Sequence, residues 1–176
     1  RDGIPLDASD TYISRFPNKK IVHVTHTQDF SEEFGRKVRN TVESDEHRAL
    51  FPKVAITADS RAAGRWGTTN GGEYYATGVG GTVTGKRADL VVIDDPLRGI
   101  EDAESPTARD KLWAFYGSDL YTRLKPNAAV PLIQTRWHLD DLAGRLLAAQ
   151  SQNGADKWDV ISLPAIANDN DPLGRK

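Results

Sequence analysis

Four consecutive apolar residues followed by two carboxylates limit the possible folds of this chain more than any other segment. Residues 90–93 show none of the polar alternation expected of a strand with one wet face, and Asp94-Asp95-Pro96 follows them directly. Such a run is typical of a strand covered on both faces, which is how the strands of parallel sheets are packed. The sequence therefore predicts a parallel sheet that carries paired acids at the carboxyl end of one strand.

Helical patterns alternate with the apolar strands. Residues 21–25 are β-branched and predict a strand, and Ser31 is expected to cap the helix that follows, in which apolar residues recur every four positions up to Val42. The pair Ser105-Pro106 predicts the start of another helix, because proline is favoured at the first helical position. That helix is expected to extend as far as Pro126.

The remaining elements complete an alternating pattern. A helix is expected to begin at Asp140 or Asp141, either of which can cap it. Alternation of strands and helices at this spacing favours βαβ units and an α/β fold with a mainly parallel sheet. Further strands are expected at residues 72–77, 81–84, 129–133 and 158–163.

The amino-acid composition excludes several classes of protein. A chain of 176 residues with 38% apolar content predicts one globular domain. Its 23 basic and 25 acidic residues leave a net charge of -2, so any contact with DNA must be local, and no apolar run approaches the roughly 20 residues that span a membrane. The absence of cysteine excludes disulfides and thiolate catalysis. Because the chain also lacks methionine, we expect it to be a fragment or a processed product.

Two further motifs resemble ligand-binding sites, one for phosphate and one for a metal, but neither matches the pattern that such a site requires. Residues 80–86 match the G-x-x-x-x-G-K pattern of a phosphate-binding loop until Arg87 stands where Ser or Thr should bind Mg²⁺. Since a strand follows instead of a helix, we interpret this segment as a glycine-rich connection and expect any triphosphate cradle upstream of Arg1. His23 and His26 are not expected to chelate one metal, because strand side chains three positions apart point to opposite faces.

Asp94 and Asp95 are candidate catalytic acids, because α/β proteins bind ligands at the carboxyl ends of their strands. In nucleotide hydrolases such a pair follows the Walker B pattern, in which one acid holds Mg²⁺ and the next positions the attacking water. Plain turn chemistry is the alternative for Asp-Asp-Pro. Thr135 and Arg136 follow another apolar strand, so they are expected at the same edge, where they could sense a γ-phosphate. The alternative there is a loop with a packed Trp137 and a solvated arginine.

Several segments together resemble the ATPase part of tailed-bacteriophage terminase large subunits. Residues 78–85 and 88–96 are similar to the Walker B region of that family, and residues 135–138 with 141–146 resemble its coupling motif. The resemblance covers nearly the whole chain and corresponds to the family's ATPase downstream of its Walker A motif. Four shorter segments match in the same order: residues 34–39, 65–66, 163–165 and 171–175.

The resemblance implies a fold, a domain organisation and a function. Residues 1–165 would be a RecA-like P-loop ATPase core that is incomplete at its N-terminus, and residues 166–176 a linker toward a nuclease domain. The parent protein would couple hydrolysis of Mg²⁺-ATP to translocation of double-stranded DNA into the procapsid. It would act in the cytoplasm of an infected or prophage-carrying bacterial host, as a homo-oligomer on the procapsid with the portal protein and the small terminase subunit, and without a membrane.

The resemblance also implies roles for individual residues. Asp94 would coordinate Mg²⁺, and Asp95 would orient or deprotonate water. Asp95 stands where many packaging ATPases carry glutamate, so the shorter side chain must reach the water differently. Thr135 with Arg136 would couple hydrolysis to movement. Four arginines are possible phosphate or DNA contacts, and the alternative for each is a solvated helix face or loop: Arg36, Arg39, Arg61 and Arg65.

Two other functions stay open at this stage. The chain could be a noncatalytic scaffold that binds the small terminase subunit, the portal or the nuclease domain. Alternatively it could be a metal-dependent nuclease, provided that Asp94, Asp95 and Asp140 converge on a two-metal site.

Overall fold

The computed structural model describes residues 8–163, which form a seven-stranded sheet with helices on both faces. The segment 166–176, expected to be a linker, lies outside the described residues. No helix within 8–163 has the length and apolar character needed to cross a bilayer. In chain order the elements are α1 (Ala8–Arg15), β1 (Lys20–Thr25), α2 (Gln28–Glu43), α3 (Asp45–Leu50), β2 (Ile56–Ala62), β3 (Arg65–Thr68), β4 (Glu73–Gly78), β5 (Ala88–Asp94), α4 (Ile100–Glu104), α5 (Pro106–Phe115), a π-helical turn (Tyr116–Leu120), a 3₁₀ turn (Tyr121–Arg123), β6 (Leu124–Ala129), β7 (Leu132–Ile133) and α6 (Leu142–Ala149).

The sheet is mainly parallel, which confirms the predicted α/β class. Strand β1 lies between β4 and β5 and is parallel to both, and β6 and β7 pair in parallel with the other side of β5. Strand β3 pairs antiparallel with β4, and β2 pairs antiparallel with β3. Because β1, β4, β5 and β7 run in one direction, they end on the same side of the sheet. We call this side the carboxyl edge, and the strands end there at Thr25, Gly78, Asp94 and Ile133.

Strand β5 is buried on both faces, as its unbroken apolar run predicts. Val91 and Ile93 belong to the core beneath α5 and α6, whereas Leu90 and Val92 belong to the opposite core beneath α1 and α2. Full burial of an aliphatic side chain of this size is worth about 1.5 to 3 kcal/mol. These contacts hold the strand firmly, so the acids that follow it begin from a rigid support.

The prediction that Ser31 caps the second helix is wrong. Helix α2 begins one turn earlier, and its cap is Thr27, whose hydroxyl oxygen accepts a hydrogen bond from the Phe30 amide. Ser31 lies buried inside the helix, where its hydroxyl is 2.6 Å from the Thr77 carbonyl oxygen and donates to it. The serine therefore ties α2 to β4, a contact that depends on tertiary packing and not on the local sequence.

The strand expected at residues 81–84 is also absent, since these residues form a loop between β4 and β5. The hairpin partner of β4 is β3, which lies in a part of the sequence that shows no regular pattern. Trp66 of β3 stacks on Tyr74 of β4 with ring centroids 4.8 Å apart, and its indole N–H donates to the Gly35 carbonyl oxygen. Buried aromatic contacts between distant segments therefore select this hairpin.

The strand expected at residues 129–133 is divided in two, and the helix before it ends earlier than predicted. Helix α5 begins after its Ser105 cap as expected, but its last turns become π-helical and then 3₁₀, and Leu124 already starts β6. Pro131 separates β6 from β7, because proline cannot donate a ladder hydrogen bond. The expected cap of α6 is confirmed as Asp141.

The strand expected at residues 158–163 is wrong. This segment forms no ladder with the strands in 8–163 and instead runs beside α6, where the Trp158 amide donates to the Gln150 side chain. Ile161 is 79% exposed. Apolar, β-branched character alone therefore did not produce a strand here.

A buried carboxylate joins three strands at the opposite edge of the sheet. Asp89 of β5 accepts hydrogen bonds from the Lys19 and Lys125 ammonium groups at 3.2 and 2.7 Å, and from the Lys20 amide at 2.9 Å. Burial raises the pKa of Asp89, but these hydrogen bonds and the lysine charges outweigh burial and lower its pKa below the ordinary value. The ion pairs therefore stabilise the fold only while the carboxyl group is ionised.

Replacing this acid, Asp89→Asn, should lower the free energy of unfolding by about 1 to 3 kcal/mol at pH 7. Because the pKa is lower in the folded than in the unfolded chain, the contribution is complete above about pH 4 and is lost as the pH falls through the folded pKa. Urea unfolding at pH 7, 5 and 3.5 should therefore show the gap between variant and wild type narrowing in acid. The exposed Asp59→Asn is the control, and a gap that stays constant with pH would contradict this assignment.

Candidate functional site

Asp95 stands in a strained backbone position at the carboxyl edge. Its φ of 39° lies in the left-handed region, where a residue with a Cβ pays about 1 kcal/mol. The Asp95 amide donates to the Ile133 carbonyl oxygen at 2.9 Å, so the neighbouring strand holds this conformation. Asp94, the last residue of β5, is half-buried, and Asp95 is exposed. The chain therefore turns sharply at the two acids and presents the second one to solvent.

Thr135 lies beside these acids, as predicted. Asp94 pairs with Ile133 across the β5–β7 ladder, so both strands end at the same level. Two residues further on, the Thr135 amide donates to Asp95 Oδ1 at 3.3 Å. The structure thus joins a strand-ending acid to the loop after β7 by a direct hydrogen bond.

Arg136 follows Thr135, but its guanidinium group turns to a different acid. Its Nε donates to Asp141 Oδ2 at 2.6 Å, and its Nη2 donates to the Leu139 carbonyl oxygen at 3.4 Å. Trp137, which the alternative expects to be packed, is only partly buried, since half of its side chain is exposed. Arg136 therefore ties the loop to α6 in this conformation.

His26 also belongs to this site, although its place in the sequence suggested only a metal pair with His23. It follows β1 at the carboxyl edge, and its Nδ1 lies 3.3 Å from the Asp95 carbonyl oxygen. His23 is buried instead, with its Nδ1 2.7 Å from the Tyr74 hydroxyl, and the alternation expected of strand side chains does not apply to His26, because β1 ends at Thr25. The position of His26 directly after a strand that neighbours β5 was the signal that could have revealed it.

The interpretation of residues 80–86 as a connection is confirmed. Gly80 and Gly85 adopt φ of 80° and 75°, and no helix follows, because β5 begins at Ala88. Lys86 pairs with Glu73 at 2.6 Å and lies over the Tyr75 ring. This lysine therefore stabilises β4 and does not face the carboxyl edge.

The four candidate arginines lie on α2 and the β2–β3 hairpin, away from the elements that carry the acids. Arg39 donates to the Arg61 carbonyl oxygen, Arg61 pairs with Glu43, and Arg65 pairs with Glu73 at 3.0 Å. Arg36 is exposed on α2. Three of the four guanidinium groups thus have partners within the protein.

Asp140 does not join the other acids. Its carboxylate bridges Arg109 at 3.1 Å and Arg145 at 2.7 Å. The hydrogen bond from Arg145 is the largest reason that the pKa of Asp140 lies far below its usual range, and it outweighs desolvation, which acts in the opposite direction. Within residues 8–163 no group of three or more His, Cys, Asp or Glu side chains is arranged to hold a metal ion. The three-acid convergence that the nuclease alternative needs is therefore not formed.

Asp94 and Asp95 remain candidate ligands for a different kind of metal site. Mg²⁺ is commonly bound through one or two carboxylates, with substrate phosphates and water completing its oxygen ligands. Such a site needs no third protein acid.

No protein-family model and no curated protein matches this chain. Function is therefore inferred from the contacts at the carboxyl edge together with the sequence motifs.

Proposed function

We propose that this chain is part of a DNA-packaging ATPase of the terminase large-subunit kind, with a RecA-like core. In this proposal the parent protein couples hydrolysis of Mg²⁺-ATP to movement of double-stranded DNA into the procapsid. The observation that carries the proposal is the hydrogen bond from the Thr135 amide to Asp95, because it links a Walker B-like acid to the loop that resembles a coupling motif.

The two acids have separate tasks in this proposal. Asp94 holds Mg²⁺, which when bound neutralises charge on the transferring phosphoryl group. Asp95 orients the attacking water or accepts its proton. Since Oδ1 of Asp95 accepts the Thr135 amide, Oδ2 is the oxygen assigned to the water. In this proposal the left-handed backbone at Asp95 sets the direction of its side chain, which is one methylene shorter than that of a glutamate.

The loop after β7 transmits the state of Asp95. A shift of that carboxylate on loss of the γ-phosphate changes the hydrogen bond to the Thr135 amide. Arg136 extends the connection to the first turn of α6 through its hydrogen bond to Asp141. Thr135 and Arg136 are therefore coupling residues here, and neither performs the chemistry.

The phosphates of ATP need a cradle that residues 8–163 do not supply, since residues 80–86 are a connection. We assign the cradle to a segment that pairs with the outer edge of β6 and β7, where no strand of the described range pairs. Ile133 of β7 is exposed at that edge, and Leu139 in the loop before α6 is 89% exposed. A parallel strand added there would end at the carboxyl edge beside Ile133, with β7 between it and Asp94, so its following loop would lie on the same side of the sheet as the acids.

Phosphate release tests this proposal directly. Residues 1–176 should hydrolyse Mg²⁺-ATP at the background rate, whereas a version extended upstream of Arg1 to include a G-x-x-x-x-G-K-[ST] loop should turn over. In the extended version, Asp94→Ala should weaken Mg²⁺-ATP binding as well as turnover. Robust turnover by residues 1–176 that Lys86→Ala abolishes would overturn the assignment of residues 80–86.

The exposed apolar side chains also favour the second candidate, a noncatalytic scaffold. Exposed apolar surface of this kind commonly marks an interaction site. Besides Leu139, the residues beside α6 are exposed, among them Val160 and Ile161. In that case the edge would receive the small terminase subunit, the portal or the nuclease domain. Turnover by the extended protein decides for the ATPase.

A further inference from the structure

Two adjacent acids at the start of α6 have entirely different partners. Asp141 is 1% exposed, and its Oδ1 accepts the Gly144 amide at 2.8 Å as the helix cap. Its Oδ2 accepts two further hydrogen bonds, from Gln134 Nε2 at 2.8 Å and from Arg136 Nε at 2.6 Å. One buried carboxylate thus holds the helix end and both neighbours of Thr135.

This arrangement restrains Thr135 from both sides. A buried carboxylate needs hydrogen-bond partners to offset its lost hydration, and bonds from charged donors are among the strongest available. Gln134 and Arg136 satisfy that need, so their backbone positions are tied to α6. Thr135 itself is exposed, and its amide reaches Asp95 across 3.3 Å. The position of that amide is therefore set by restraints on the residues before and after it.

Asp140 makes a separate connection. It joins Arg145 of α6 to Arg109 of α5, and Arg109 is buried, with its Nη1 donating to the Ala103 carbonyl oxygen of α4 at 2.6 Å. These contacts anchor α6 to the two preceding helices. Within the described structure the Asp140 carboxylate accepts no hydrogen bond from residues 134–136.

We propose that Asp141 is a positioning residue that holds the Thr135 amide against Asp95, whereas Asp140 anchors α6 only. The effect on turnover rests on the proposed ATPase function. The position of the Thr135 amide relative to Asp95 does not depend on that function. The two parts can therefore be tested separately.

The geometric test uses Asp141→Ser in residues 1–176, with Asp140→Asn as the matched control. Serine still caps the helix by accepting the Gly144 amide, but it is too short to reach Gln134 and Arg136. Hydrogen exchange of the Thr135 amide with water, measured by NMR, should accelerate about tenfold in Asp141→Ser. This corresponds to a decrease of about 1.4 kcal/mol in the free energy of local opening. The Gly144 amide should keep its protection. In Asp140→Asn, exchange at Thr135 should stay within about twofold.

Unchanged Thr135 exchange in Asp141→Ser, or equal acceleration in both variants, would overturn the proposal. Loss of protection at Gly144 would show that the cap had failed, and Asp141→Asn, which keeps one carbonyl oxygen for the cap, would then replace the serine variant. With that variant, acceleration at Thr135 but not at Gly144 supports the proposal, and unchanged exchange at Thr135 refutes it.

The functional test uses the version extended to include the phosphate loop. Asp141→Ser should lower kcat about tenfold and leave KM for Mg²⁺-ATP within about twofold, because it misplaces the Asp95 partner without touching groups assigned to nucleotide binding. Asp140→Asn should keep the wild-type kcat. Faster Thr135 exchange without any change of kcat would refute the positioning role. Absence of turnover in the wild-type extended protein would instead refute the ATPase proposal and leave the exchange result standing.

Discussion

Asp95→Asn should lower ATP turnover by at least about 100-fold in the version of the protein that carries a phosphate loop. Asparagine removes the basic oxygen that orients or deprotonates water. It keeps Oδ1 for the Thr135 amide and, like aspartate, tolerates the left-handed backbone at φ 39°. Nucleotide binding should remain within about twofold, because binding is assigned to Asp94 and the phosphate loop. Phosphate release and nucleotide titration give the two numbers.

A control variant distinguishes the loss of the assigned catalytic group from the loss of one negative charge. Asp59→Asn removes one negative charge from an exposed site on β2, so it should leave turnover and stability unchanged. If Asp95→Asn hydrolyses ATP at nearly the normal rate, Asp95 is a turn residue and the assigned chemistry is wrong. If nucleotide binding collapses with it, the separation of tasks between Asp94 and Asp95 fails.

Gly144→Ala should be the most damaging small substitution near the site, with a loss of about 2 to 4 kcal/mol in the free energy of unfolding. A Cβ on Gly144 would overlap the Leu139 carbonyl oxygen and approach Arg136 Nη2 to 3.2 Å. Both are parts of the loop that leads into α6, so the added methyl group can be accommodated only by moving backbone. Urea unfolding measures the loss.

Gly117→Ala supplies the control for this prediction. Gly117 lies in the π-helical turn, and a Cβ there meets no described atom within 4 Å. Alanine lowers the entropy of the unfolded chain, so this variant should be neutral or more stable by up to about 1 kcal/mol. Equal stability of both variants would contradict the close approach of Gly144 to the loop.

The main architecture could be predicted from the sequence because its signals are local. The unbroken apolar run of β5 and the caps Ser105 and Asp141 report the environment of each residue directly. The common direction of the parallel strands then brings Asp95 and Thr135 to the same edge, as expected.

Other elements could not be predicted, because their stability comes from contacts with distant residues. The hairpin of β3 and β4 depends on the stacking of Trp66 on Tyr74 and on the hydrogen bond from the Trp66 indole to Gly35 of α2. Residues 158–163 have the composition of a strand, but no strand within 8–163 pairs with them. Strand propensity is expressed only where a partner strand is present, and the sequence does not specify that partner locally.

The candidate site likewise has features that the sequence predicts and features that it does not. The local sequence is enough to show that two acids follow a buried strand and that a polar Thr-Arg loop follows a neighbouring strand. The position of His26 beside the Asp95 backbone and the pairing of Arg136 with Asp141 depend on tertiary packing. The physical reason is that strand direction fixes where a backbone ends, whereas the partner of a side chain depends on which buried charge lies within its reach.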